Sequence, residues 1–152
     1  MTMTRPTQMP KSGCPTSNIP QMLRTAGLRP TRQRIGLAVL LFSRGNRHVS
    51  AEQIFEEASA ANMPVSLATI YNTLHQFTSA GLMRAVAVDS AKTYFDTNTE
   101  DHHHFYHEDS GMVVDVHDAD MKVVGLPDIP EGMELSRVEV IVRLKRKDSA
   151  KA

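Results

Sequence analysis

The chain has 152 residues, enough for one domain with a good core or for two small ones, and its 17 basic and 17 acidic side chains cancel. The cancellation hides a division: residues 1–50 carry eight Lys and Arg and no acid, whereas residues 51–152 carry nine basic and all 17 acidic groups. The front of the chain therefore suits a polyanion and the back does not. The single cysteine, Cys14, excludes an internal disulfide and fits a reducing compartment. The longest apolar run, residues 35–42, falls far short of the roughly 20 needed to span a bilayer. Residues 1–10 lack the apolar core of a signal peptide, so a soluble cytoplasmic protein with no membrane partner is expected.

Residues 1–17 mix Thr, Pro, Gly, Ser and Lys without periodicity and read as a mobile arm, within which Gly13-Cys14-Pro15 offers a thiolate suited to ferric haem. A first helix is expected from Asn18, with Pro20 in its opening turn and Gly27 closing it. Thr31 caps a second helix whose apolar face is Ile35, Leu37, Ala38, Leu41 and Phe42, with Arg29, Arg32 and Arg34 crowding its start. Ser50 and Gln53 have capping-box spacing for a third helix running to about Ala61, with Ile54, Phe55 and Ala58 inward.

The fourth helix, capped by Ser66, repeats Leu67, Ile70, Leu74 and Phe77 at helical spacing. Its other face carries Ala68, Thr69, Asn72, Thr73 and Gln76, with Tyr71 and His75 at the margin. A solvated face would normally carry Lys and Glu, whereas uncharged donors and acceptors suit base edges in a major groove. Residues 82–88, a turn at Asp89-Ser90-Ala91 and residues 92–96 read as a hairpin, which completes a winged helix-turn-helix.

Asp101-His102-His103-His104-Phe105-Tyr106-His107 packs four of the seven histidines into six positions. Imidazole is the commonest metal ligand, and so dense a cluster implies a bound ion or cofactor. A purification tag would sit at a terminus and would not interleave aromatics. If the segment is extended, His102 and His104 share one face and His103 takes the other, so one strand can serve two sites. Beyond Gly111, Val113 and Val114 with Asp115, and Val138, Val140, Val142 and Leu144 with Glu139, Arg143 and Lys145, read as antiparallel strands with one wet face. Pro127 and Pro130 limit any helix between them to roughly residues 119–126. So small a sheet is marginal alone, and pairing with a second copy would bury it.

Gly27-Leu28-Arg29-Pro30-Thr31-Arg32-Gln33-Arg34, His48-Val49-Ser50-Ala51-Glu52, Val65-Ser66-Leu67-Ala68-Thr69-Ile70-Tyr71-Asn72-Thr73-Leu74 and the histidine cluster occur in the order seen in the ferric uptake regulator superfamily, which the chain resembles from about residue 19 to 147. Within it, Thr93-Tyr94-Phe95-Asp96-Thr97-Asn98, the triple histidine and the Cys-Pro of the arm resemble the iron response regulator branch, known for haem-responsive transcription control. The resemblance implies an α+β protein: a winged helix-turn-helix at residues 18–96, after the arm at 1–17, then a small α/β dimerisation domain with an antiparallel sheet at 97–147 and a tail at 148–152. It maps a regulatory site for Fe, Mn or Zn onto His48, Asp96, His102, His104 and Asp115. It implies haem binding through His102, His103, His104 and Cys14, and a candidate second metal site at Asp101, His103 and His117. The C-terminal histidine usual in that second site is replaced near Arg137 or Val138. His107 reads equally as a ligand or a strand residue. The family's two Cys-x-x-Cys pairs are missing: the first would fall at His107 and Ser110, so a four-thiolate structural zinc is excluded.

The implied activity is that of a homodimeric regulator, not an enzyme, which binds an inverted-repeat operator in double-stranded DNA when iron is scarce and leaves it when haem is plentiful. Arg29 would enter the minor groove, Arg32 and Arg34 would neutralise phosphates, and Ser66, Thr69, Tyr71 and Asn72 would contact backbone or bases. A haem-biosynthesis enzyme would be the implied haem donor. Two other readings compete: a peroxide- or metal-sensing repressor of the same superfamily, and a metal-dependent hydrolase with Glu100 or Glu108 as general base.

Overall fold

The computed structural model describes residues 16–88, 92–116 and 121–148, which fall into two compact units, one up to Thr99 and one from Glu100. No helix among them is long and apolar enough to cross a membrane.

In the first unit α1 starts on a proline, and the three later α-helices start where a side chain satisfies an orphan backbone N–H. A 3-10 turn, Thr16–Asn18, leads into α1 (Ile19–Thr25), which has Pro20 in its first turn. Gly27 follows α1 with φ +81°, the left-handed conformation that lets Leu28 N–H reach back to the Leu23 carbonyl at 2.8 Å. Thr31 Oγ1 accepts from Arg34 N–H at 3.2 Å to start α2 (Arg32–Phe42). Ser50 Oγ accepts from Gln53 N–H at 3.2 Å to start α3 (Ala51–Ala60). Ser66 Oγ accepts from Thr69 N–H at 3.1 Å to start α4 (Leu67–Ser79). Ile19, Leu23, Leu37, Leu41, Phe42, Ile54, Ile70, Leu74, Phe77 and Phe95 are fully buried as one core, with the Phe42 and Phe77 rings 6.1 Å apart.

Two inward assignments differ from the expectation. Phe55 is 37% exposed, because it stands about 100° round the helix from Ile54 and cannot share the stripe of Ala51, Ile54 and Ala58. Thr73 is buried, three residues after Ile70 and four before Phe77, and its hydroxyl donates to the Thr69 carbonyl at 2.9 Å. The hairpin forms as β2 (Arg84–Ala87) and β3 (Thr93–Asp96), with its turn residues 89–91 outside the described residues. A third strand, β1 (His48–Val49), pairs antiparallel with β3, giving the order β1-β3-β2.

The second unit is a three-stranded sheet of β4 (His103–His107), β5 (Met112–Val116) and β6 (Ile141–Leu144), in the order β5-β4-β6. β4 and β5 are antiparallel, but β6 runs parallel to β4, with His104 opposite Ile141. The antiparallel expectation therefore fails for this strand. Alternation reports which face is wet and not which way a strand runs, and the connection 117–140 exceeds the dozen or so residues a parallel crossover needs. Of the helix expected at 119–126, residues 121–126 are non-helical and 117–120 lie outside the described residues. The β4–β5 turn is held by polar contacts: Gly111 N–H donates to the His107 carbonyl at 2.8 Å, Glu108 N–H to the Leu144 carbonyl at 2.9 Å, and Arg146 N–H to Asp109 Oδ2 at 2.8 Å.

The two phenylalanines provide a test of the packing. Phe77→Ala is expected to lower unfolding free energy by about 3–5 kcal/mol in urea titration at fixed protein concentration, and Phe55→Ala by less than about 1 kcal/mol.

Candidate functional site

Among the described residues the ligand types concentrate in two sets, one in each unit. In the first unit the β1–β3 pairing puts His48 opposite Asp96, and His48 Nε2 lies 3.0 Å from Asp96 Oδ2. The Asp96 carboxylate is fully buried, and its Oδ1 accepts from Asn98 N–H at 2.8 Å. The strand end carrying His48 is tied to β3 by Arg47 N–H donating to Thr97 Oγ1 at 2.7 Å and Thr97 N–H donating to the Arg47 carbonyl at 3.0 Å. Arg47 also bridges two carbonyl-rich ends, donating to the Leu40 carbonyl and to both oxygens of Glu57 at 2.7 to 3.0 Å.

In the second unit His102 and His104 share a face, their ring centroids 4.4 Å apart, and both aim Nε2 at Asp115 Oδ1, at 3.0 and 3.5 Å. One donor atom of each of the three lies within 4.8 Å of the others. The protons decide what this means. His102 Nδ1 is 2.5 Å from the Glu100 carbonyl, which can only accept, so Nδ1 carries the hydrogen and a neutral ring has its lone pair on Nε2. Glu139 Oε1 lies 3.3 Å from His104 Nδ1, close enough for its charge to act on that ring but without a hydrogen bond between them. With the ring neutral, the His102 Nε2 lone pair confronts a carboxylate oxygen, an opposition that a shared metal cation relieves. Two imidazoles converging on one oxygen is a ligand arrangement, since donor atoms sharing an ion at about 2.1 Å stand about 3 Å apart. A backbone carbonyl or carboxylate on the far nitrogen is the usual support for a metal-bound histidine. The residues present therefore fit a divalent metal.

His103 does the opposite. Its Nδ1 accepts from Val140 N–H at 3.0 Å, so the neutral ring carries its hydrogen on Nε2 and offers no lone pair to iron there. With Asp101, His102, Val123, Leu126 and Val138 it lines an open pocket of about 230 Å³. As it stands His103 therefore offers a haem iron no Nε2 lone pair, and Cys14 lies outside the described residues. The candidate second metal site keeps only Asp101 and His103 in view, because His117 is also outside the described residues. His107 is a partly buried strand residue opposite Met112.

The residues assigned to DNA all belong to the first unit. Arg29, Arg32 and Asn72 are exposed. Arg34 is engaged, donating to the Arg29 carbonyl and to Gln76 Oε1, each at 3.0 Å, so it ties the start of α2 to α4. Ser66 shares a hydrogen bond with Thr69 Oγ1 at 2.9 Å besides its capping role. The Tyr71 hydroxyl donates to Glu52 Oε1 at 2.6 Å, which holds the carboxyl below the usual carboxylate range and pushes the phenol up. Glu139, Glu52 and the Glu100 carbonyl were not foreseen from sequence. Glu139 showed only as a wet-face position of a strand, and nothing in the sequence spacing joined Glu52 to Tyr71.

The Tyr71 contact sets two titrations. A lowered carboxyl makes its contribution above its unfolded pKa and loses it as pH falls through the folded value; a raised phenol contributes below its unfolded pKa and loses it as pH rises through the folded value. Phenolate absorbance is expected to show Tyr71 ionising above the ordinary value of 10.0, and Glu52→Ala is expected to return it there.

The profile of the Ferric uptake regulator family matches residues 25–143. The chain is 36% identical to the ferric uptake regulation protein of Pseudomonas aeruginosa over 101 residues, 66% of this chain and 75% of that one. It is also 36% identical to the peroxide-responsive repressor PerR of Staphylococcus epidermidis over 95 residues, 62% of this chain and 63% of that relative's length. The structure of the ferric uptake regulator from Pseudomonas aeruginosa with manganese superposes with a TM-score of 0.67 at 28% identity, covering 85% of this chain and 98% of that one. The α+β fold, a winged-helix unit followed by a small sheet unit, agrees with those relatives. On these matches the protein belongs to the ferric uptake regulator family.

Proposed function

We propose that this chain is a metal-responsive transcription regulator of the cytoplasm that binds an inverted-repeat operator as a homodimer. One divalent ion would be held by His102, His104 and Asp115, with His48 and Asp96 as the further ligands that the family resemblance implies. The observation that carries the metal reading is the pair of Nε2 atoms aimed at one oxygen of Asp115 while the Glu100 carbonyl holds the far nitrogen of His102. The nitrogen and carboxylate donors suit Fe(II), Mn(II) or Zn(II). When bound, the ion supplies charge that neutralises the opposed donors and fixes their rings. Similarity to a regulator solved with manganese supports the same class of ion. Exposed Val124, Leu126, Ile129, Met133 and Leu135 support a second copy as the dimer partner.

For DNA, the capped α4 with exposed Ala68, Asn72, His75 and Gln76 supports groove reading, and exposed Arg29 and Arg32 support backbone and minor-groove contacts. An ion that both half-sets share would favour one arrangement of reader and sheet unit, and only a differential affinity of that kind can switch DNA binding.

A duplex selected from a library with a randomised core, used in gel shifts, tests this. Chelation is expected to lower affinity by about five- to 150-fold, with Mn(II) restoring it. Asp115→Asn is expected to weaken Mn(II) binding, measured by calorimetry, by at least about tenfold. Unchanged operator affinity after verified metal removal would reject the switch.

The iron response regulator reading adds haem as the signal that ends DNA binding, with a haem-biosynthesis enzyme as donor. Its support is the triple histidine and Cys14-Pro15. Because His103 Nε2 carries a hydrogen, a haem ligand role is expected to require release of the Val140 N–H contact. Absorbance titration with hemin, on the full chain and on separate His103→Ala and Cys14→Ala variants, decides it: no Soret shift in the parent chain removes haem from the function. The similarity to a peroxide-responsive repressor favours a peroxide response equally. Loss of operator binding when the Fe(II)-loaded protein meets peroxide, but not when the Mn(II)-loaded protein does, would select that reading.

A further inference from the structure

One side chain on the reader surface has a chemistry that the readings above leave unused. Glu52 stands in the first turn of α3 and is exposed, and its Oε1 accepts the only hydroxyl hydrogen of Tyr71 at 2.6 Å. The Tyr71 ring packs on the helical core, so its position is fixed from below while its hydroxyl is fixed from the side by a different helix. Nothing about burial demands this bond, because water can serve two exposed polar groups. What the bond changes is the kind of contact the hydroxyl has left to make.

A phenol has one hydrogen to donate and lone pairs to accept with. Once the hydrogen is committed to a carboxylate, the oxygen can only accept. Phosphate oxygens are acceptors too, so this phenol cannot hydrogen-bond to the DNA backbone, and the adjacent anion repels phosphate as well. Groups that donate into the major groove are the exocyclic amines, adenine N6 and cytosine N4. We propose that Glu52 is a specificity-determining positioning residue, which by taking the Tyr71 hydrogen directs Tyr71 to a base that presents an exocyclic amine, adenine or cytosine over guanine or thymine at that position, and away from phosphate. The lowered carboxyl and raised phenol agree with a carboxylate accepting from a neutral phenol. This inference rests on the reading of α4 as the DNA-reading helix.

The experiment is selection from a duplex library with a randomised core, in the presence of Mn(II), for the parent chain and for Glu52→Ala, Glu52→Gln, Tyr71→Phe and the Glu52→Ala/Tyr71→Phe double variant. Competition gel shifts on the recovered duplexes then measure the preference at each position. Glu52→Ala and Tyr71→Phe are expected to lose about three- to tenfold discrimination for A or C at the same position of each half-site, and the double variant no more than either. Glu52→Gln, whose amide oxygen still accepts from the phenol, is expected to keep the preference, a rescue that a general loss of fold would not give. Unchanged base preference in Glu52→Ala, or a further loss when it is added to Tyr71→Phe, overturns the proposal. If the parent chain recovers no consensus, the reading of α4 as a DNA reader fails, and the proposal with it.

Discussion

A neutral imidazole has one hydrogen and one lone pair, and a chain that carries three of them in a row must decide for each which nitrogen holds which. Here the backbone decides for two of them. The Glu100 carbonyl claims the Nδ1 hydrogen of His102, which leaves its Nε2 lone pair aimed at Asp115, and His104 aims its own Nε2 at the same oxygen with Glu139 beside its far nitrogen. The N–H of Val140 claims the Nδ1 lone pair of His103 and reverses its polarity. Three adjacent residues of one type thus play two roles, and the split follows the alternation of an extended chain. The same contact extends the bonding between the two chain segments just before β6, so the residue that is not a ligand helps hold the sheet in which the ligands stand.

The first unit solves a related problem with hydrogen-bond direction instead of tautomers. Its helices are short; α2, α3 and α4 depend on a side-chain oxygen at their start, and all of them on one shared core. That economy leaves the outer face of α4 free of structural duty, except where Arg34 takes Gln76 and Glu52 takes Tyr71. Both contacts reach α4 from the helices beneath it. A polar surface tied in this way presents defined donors and acceptors, where untethered side chains would present averages.

Much of this was legible in the residues. The caps Thr31, Ser50 and Ser66 all form, because capping depends on three-residue spacing that a sequence displays directly. The alternation placed His102 and His104 together and His103 apart for the same local reason. What failed was nonlocal or depended on rotation. Phe55 was drawn inward by its hydrophobicity although its angle on α3 puts it outside, and Thr73 was drawn outward by its hydroxyl although its angle puts it in the core. The direction of β6, the pairing of β1 with β3, and the reach of Glu139 to His104 depend on chain crossings that no periodicity records.

The β4–β5 turn closes through Gly111, Glu108 and Asp109, with backbone amides and one carboxylate around His107 and Ser110. Such contacts neither oxidise nor surrender to a chelator. A reagent that strips ions from this molecule would therefore act on its signal and leave that corner of its scaffold intact, so ligand loss and structural collapse become separable events in one chain.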